Sequence, residues 1–436
     1  MSLLSVIRRI LGLEQAPARK TEAKRDIAAR PPAQPKPLPP TPPSGELIPS
    51  PVVKHKPDKY FTLGVDFGTH ETKIAFRDVD LNYDKTEVIV LSEAGREGRG
   101  ECIVPSIITI FDDCLYFGKM IEGGYLIENF KMQIGETSPE PYSMLPYTDL
   151  STLFIAYVVC ESAKEIERRY LIYTCKIMLH LGSPLSDLHA GDTIMEAYDR
   201  ILKLAWRLYW FYGGMLQGIA IDKAFELIEE LNARTLKNEK EWCWLVPEIQ
   251  AAVTSFAQSA DVPPYSYHIV IDVGGFTTDV SVFNVGHPQQ QPNACIFASS
   301  VIKQAIIDFD SAKNKVEFIK DLRQNISDVI IQCTNKGLLD PGQFVNFAHK
   351  AIWRIGGGYF RPDFLDELLH PNNFLPGHRL LDRKPRFRSN TDIMFLVAKG
   401  LATFHNNFTA ILRAQPLPPF QPPLDDRLPY HLQDHN

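Results

Sequence analysis

Apolar positions along this chain follow two periods, one near two residues and one near 3.6. The runs "YFTLGVDF", "ETKIAFRDV", "EVIVLSE" and "IVPSIITIF" are rich in β-branched and aromatic residues and are separated by turn formers, so they predict strands between residues 60 and 111. Leu150, Leu153, Phe154, Tyr157 and Val158 then recur at helical spacing and predict a helix over 150–169. A short strand follows at 174–181, and then a mostly helical region over 190–260. Ile269, Val270 and Ile271 predict a buried strand, and Val280, Val282 and Phe283 predict its partner. Residues 303–352 read as helical, "AIWRIGGGYF" as a strand entering a glycine turn, and 392–412 as a last helix. This alternation predicts an α/β fold with helices covering sheets.

The two ends follow a different pattern. In "MSLLSVIRRILGL", residues 1–13, Leu3, Leu4, Ile7, Ile10 and Leu11 share one helix face, with Ser2, Ser5, Arg8 and Arg9 toward the other. Such a basic amphipathic helix suits an anionic membrane surface or a groove on a partner protein; a frayed terminus is the plainer reading. Residues 14–57 carry twelve prolines and predict an extended linker. The tail over 415–436, with "PLPPFQPPLDD", resembles it, which leaves about 58–414 as the globular part. Ile201–Ile221 has the length of a membrane span, but Lys203, Arg207 and the Gly213-Gly214 pair interrupt it, so a buried helix or helix pair is expected.

Charge sharpens this division. Residues 1–57 hold ten Lys/Arg against four Asp/Glu, so a net charge of −6 for 436 residues leaves the rest about −12. No nucleic-acid partner is expected from that balance. The seven cysteines include no CxxC pair, which suggests reduced thiols and a cytoplasmic protein rather than a disulfide framework.

The chemistry concentrates in two stretches of one design. "LGVDFGTHETKIAF" (63–76) runs from strand to Asp66, through Gly68-Thr69, into a second strand. "IDVGGFTTDVSVF" (271–283) repeats it with Asp272, Gly274, Gly275, Thr277 and Asp279. Glycines let backbone N–H groups approach phosphate oxygens, and the carboxylates suit a hydrated magnesium ion. "RIGGGYF" (354–360) adds a third glycine turn.

In the order of these motifs the chain resembles the actin and DnaK-type chaperone ATPase superfamily, which includes hexokinase-like sugar kinases, over nearly all of residues 60–412. "NFKMQIG" (129–135) resembles the stretch that carries the chaperones' catalytic lysine, "LVPEIQAAV" (245–253) the one that carries their catalytic glutamate, and "LVAKGLA" (396–402) their closing helix. "VPSIITIFDDCLYFG" (104–118) also looks DnaK-like, while "LGSPLS" is similar to plasmid-segregating actins of the ParM type. The resemblance implies a two-lobed actin-like ATPase fold, with duplicated ribonuclease H-like lobes around a nucleotide cleft. Lobe I would span 58–265 with a helical insertion at 185–245, lobe II 266–394 with a reduced outer part, and a closing helix at 395–414 would pack on lobe I.

The implied cofactors are ATP or ADP with Mg2+. Asp66 and Asp272 would hold the metal through water, while Lys131, Glu248, Asp272 and Thr277 would form the catalytic group. Gly68, Thr69, His70, Gly274, Gly275 and Thr277 would meet the phosphates, and Gly356, Gly357 and Gly358 would back the adenosine. Each has a plainer reading: Asp66 and Asp272 as turn caps, Lys131 as a solvated lysine, Glu248 as a helix starter, Asp279 as a structural partner. His70 stands where the chaperones usually have a hydroxyl residue, and Phe276 where a glycine is common. Only Lys303, Lys313 and Lys315 offer themselves for gripping adenine.

The expected function is an ATP-binding, slowly hydrolysing switch that controls a partner protein. No peptide-binding chaperone domain is expected, because 24 residues follow position 412. Two alternatives stay open: a filament-forming bacterial actin tethered by its N-terminal helix, and a nucleotide-bound pseudo-ATPase scaffold. No loop suggests a sugar-hydroxyl base, which weakens a small-molecule kinase. The partner surface is expected at 185–245 or on the N-terminal helix. Peripheral contact with the inner membrane face and assembly into a homo-oligomer or filament are the further options.

Overall fold

The computed structural model describes residues 56–80, 86–91, 104–184, 193–214, 217–236, 238–257, 267–285, 294–335, 351–355, 364, 368, 381–382, 395–403 and 411–413. These all belong to one compact unit, Pro43–Asn436. The N-terminal helix and most of the linker, part of the 185–245 insertion, the tail, and Gly356, Gly357 and Gly358 lie outside them.

Strands β1 (Lys59–Phe67) and β2 (Glu71–Asp78) form the first hairpin, followed by the two-residue β3 (Glu87–Val88) and β4 (Val104–Pro105). Next come β5 (Ile108–Phe111), β6 (Cys114–Phe117), β7 (Tyr125–Ile127) and a 3-10 turn at Phe130–Gln133. Helix α1 (Tyr147–Tyr170) leads to β8 (Cys175–Ser183). Then α2 (Thr193–Tyr212), β9 (Ile219–Ala220), α3 (Ile221–Ala233) and β10 (Cys243–Pro247) precede α4 (Glu248–Ala257). The second hairpin is β11 (Tyr267–Val273) with β12 (Thr278–Val285), followed by β13 (Ala294–Ile302), α5 (Ile306–Ser311) and α6 (Lys315–Asn335). Strands β14 (Ala351–Ile355) and β15 (Leu381–Asp382), helix α7 (Leu396–Thr403) and β16 (Ile411–Arg413) complete the described elements.

Two sheets share one plan. The first runs β10-β8-β1-β2-β3, with β4 also on β2; the second runs β15-β14-β11-β12-β13-β16. In each, an antiparallel hairpin (β1–β2 or β11–β12) lies at the centre. A parallel strand (β8 or β14) joins the hairpin's first strand, and a further parallel strand joins that one. An antiparallel strand (β3 or β13) flanks the hairpin's second strand. Near-continuous burial of β1 and β8 is what covering both sheet faces requires. A four-stranded sheet, β7-β5-β6-β9, stands apart from both.

Helix α7 meets β1 and α4 backbone to backbone. A Cβ at Gly64 would sit 2.3 Å from the Ala398 carbonyl, and one at Gly400 would sit 1.8 Å from that of Ala251. Leu396, Val397 and Leu401 join one apolar cluster with Ile249 and Val253 of α4, Val270 of β11 and Phe283 of β12.

Several expectations change. Among the described residues of "EVIVLSE", only Glu87–Val88 form a strand. The helical region over 190–260 contains β10, whose five residues are too few for periodicity to separate strand from helix. Strand β13 had no sequence signal of its own, and the last helix stops at Thr403, with Ile411–Arg413 pairing instead to β13. Ile201–Ile221 is not one helix: α2 stops at Tyr212, Gly213 turns the chain at φ 63°, and Ile219–Ala220 is a strand. Among the described residues no helix is long and apolar enough to cross a membrane. Most apolar side chains of α2 are buried, Tyr198, Leu202, Trp206 and Tyr209 among them. Arg207 is buried with them and pairs with Glu239 while donating to the Leu231 carbonyl at 2.9 Å.

Candidate functional site

Strands β1, β8 and β10 are parallel, so Asp66 near the end of β1 and Glu248 just beyond β10 lie at the same sheet edge. Ligands of open α/β sheets bind beyond such strand ends. Gly182 on β8 leaves room there, since a Cβ on it would sit 3.0 Å from Glu248 Cγ. The 3-10 turn delivers Lys131 to the same edge, where its Nζ donates to Glu248 Oε1 at 3.0 Å. Both side chains are largely buried. Thr69 Oγ1 donates to Met132 Sδ at 3.8 Å, which ties the first turn to the lysine segment.

Each hairpin pairs its aspartate across the strands with the residue seven positions on. Asp66 faces Lys73, whose Nζ is 3.4 Å from Oδ2. Asp272 faces Asp279. The charges follow from these partners. Burial opposes the Lys73 ammonium, but Asp66 first and Asp272 second outweigh it and raise its pKa. Lys131 is buried too, and Glu248 outweighs the burial and raises its pKa above the usual lysine range. Burial raises the carboxyl of Glu248, with Lys131 opposing. Asp272 is pushed up to about 7, chiefly by burial and next by the Asp66 charge. Asp279 goes well above the usual range through burial, with Glu248 and Asp272 adding to it.

The turns are braced differently. Ser106 Oγ donates to the Gly68 carbonyl at 2.7 Å, the Ser106 N–H donates to His70 O at 2.8 Å, and Thr72 Oγ1 lies 2.9 Å from Ser106 Oγ. The second turn closes on itself: the Gly274 N–H donates to Thr277 O at 2.8 Å, and the Ile307 N–H reaches Gly275 O at 3.1 Å. The His70 imidazole stacks on the Phe276 ring across the two turns, with centroids 5.2 Å apart and planes 16° from parallel.

Asp66, Gly68, Thr69, His70, Lys131, Glu248, Asp272, Gly274, Gly275 and Thr277 thus occupy one region. Gly356, Gly357 and Gly358 follow directly on β14, beside β11, but lie outside the described residues. Lys73, Ser106 and Ser281 escaped the sequence reading. Lys73 was accessible to it, because hairpin register alone sets it opposite Asp66.

A cavity of about 10 Å³, room for roughly one water, is lined in part by Glu248, Asp272, Asp279 and Ser281. Asp279 Oδ1 and Ser281 Oγ are buried there without a hydrogen-bond partner. Oxygen donors of this kind suit a hard cation, but the rest of the lining, Ile249, Ala252 and Val270, is apolar and the space is too small for a hydrated ion. Among the described residues, no group of three or more His, Cys, Asp or Glu is placed to hold a metal directly. No protein-family model matches this chain, and comparison with curated proteins returns no match.

Proposed function

We propose that this protein is a nucleotide-dependent switch that binds ATP or ADP with Mg2+ between two similar lobes and turns ATP over slowly. The observation that carries this reading is the meeting of two aspartate–glycine–threonine turns, from sheets of the same strand order, around the Lys131–Glu248 pair. In this reading the actin-like duplication accounts for the shared sheet plan, and each turn serves one lobe. Asp66 and Asp272 hold magnesium through water, and the metal offsets phosphate charge. Backbone N–H groups of the second turn receive phosphate oxygens. Lys131 faces the γ-phosphate while Glu248 fixes the lysine and orients water. Phosphoryl transfer asks the protein mainly for position and charge neutralisation, which this set of residues can supply.

The test is ATP binding and phosphate release by the full chain with Mg2+, for wild type, Asp66→Ala and Asp272→Ala. Binding with turnover that the variants lose supports the switch. Binding without turnover makes the chain a nucleotide-held scaffold, and no binding overturns the reading.

A further inference from the structure

His70 and Phe276 depart from the resembled family at two separate positions, and the fold stacks them on each other. His70 sits on the first turn and is exposed; Phe276 sits on the second and is half-buried. Their rings bridge the β1–β2 and β11–β12 hairpins, while Asp66 at the end of β1 is buried. The imidazole also presses on Gly275: a Cβ there would lie 2.8 Å from His70 Nδ1 and 3.2 Å from Cε1. It therefore covers the backbone that carries the phosphates in the nucleotide reading above.

We propose that His70 and Phe276 form a latch across the two turns, which must part before a polyphosphate seats on the Gly274–Gly275 backbone. This inference rests on the nucleotide reading. An aromatic stack of this kind contributes modestly, enough to shift a local equilibrium about threefold to tenfold. With the latch closed, only part of the population is competent to bind, and apparent affinity falls by that fraction. The latch thus sets how readily a nucleotide enters, while the carboxylates and Lys131 act once it is seated.

The experiment is stopped-flow association and equilibrium binding of a fluorescent ATP analogue with Mg2+. It compares the full-length wild type with His70→Ala, Phe276→Leu and the double variant. The expected result is about threefold to tenfold faster association and tighter binding in each single variant. The double variant should gain no more than either single one, because one stack is lost in all three. Weaker binding in His70→Ala with no change in Phe276→Leu would make the imidazole a phosphate ligand and overturn the latch. Unchanged association in all variants of a chain that binds nucleotide overturns the latch alone. Absence of binding in every chain, wild type included, overturns the nucleotide reading itself. Thermal unfolding separates these results from misfolding, since exposed His70 can be removed without opening the core.

Discussion

The two hairpins differ at one cross-strand position. Asp66 faces Lys73, and Asp272 faces Asp279. The first aspartate therefore has an internal cation at 3.4 Å, whereas the second faces another acid and has no ion-pair partner among the described residues. Burial raises both carboxyls of the second hairpin, with the Asp66 charge adding to it at Asp272, and those of Glu248 and Asp272 adding to it at Asp279. The first hairpin is satisfied as it stands. One backbone design thus carries a charge pair on one side and two facing acids on the other.

Breaking the pair of facing acids should have the largest effect. Asp272→Ala is expected to lower turnover about 10²–10³-fold, measured as phosphate release at saturating ATP. Equal turnover in wild type and variant would remove Asp272 from the chemistry.

The Lys131–Glu248 pair, common to both sides, comes next. Lys131→Met leaves the Glu248 carboxyl largely buried without its cation and should cost about 3 kcal/mol in urea unfolding. Adding Glu248→Gln should recover part of that loss. No recovery would mean that Lys131 contributes through packing alone.

Neutralising each aspartate should then give opposite signs. Asp66→Asn strands the ammonium of Lys73 and should destabilise the nucleotide-free chain by about 2 kcal/mol. Asp272 is pushed up to about 7 from the ordinary 3.8. The unfolded chain therefore ionises this group at lower pH than the folded one. Stability falls as pH rises between those two values and is level above them. Asp272→Asn removes that loss. It should stabilise the chain by about 1–2 kcal/mol near pH 8, a figure reduced because the carboxyl still meets solvent, and hardly at all near pH 4. Urea titrations at both pH values check this, and a destabilised Asp272→Asn would erase the contrast.

Smallest is a contrast between glycines. A Cβ at Gly68 would lie 2.2 Å from the Glu71 carbonyl, while one at Gly274 would lie 3.1 Å from that of Thr277. Gly68→Ala should cost about 1–3 kcal/mol and Gly274→Ala under about 1, read from thermal unfolding. Equal costs would mean that the two turns are equally rigid.

Local pattern determined much of this protein. The strands of both hairpins, helix α1 and the glycine turns follow from runs of apolar residues and from residues that permit tight turns, because these act over a few neighbours. The repeated turn design paired Asp66 with Asp272, but Lys131 and Glu248 joined them only through resemblance. Nothing local states that residues up to 206 positions apart, on two different sheets, come together. Tertiary structure alone decided the rest. Five-residue β10 is a strand because β8 offers it an edge, and β13 because β12 does. The His70–Phe276 stack exists because two turns from different sheets meet. The charge states of Asp272 and Asp279 depend on which carboxylates and ammonium groups burial brings near them, which the chain sets only once it has folded.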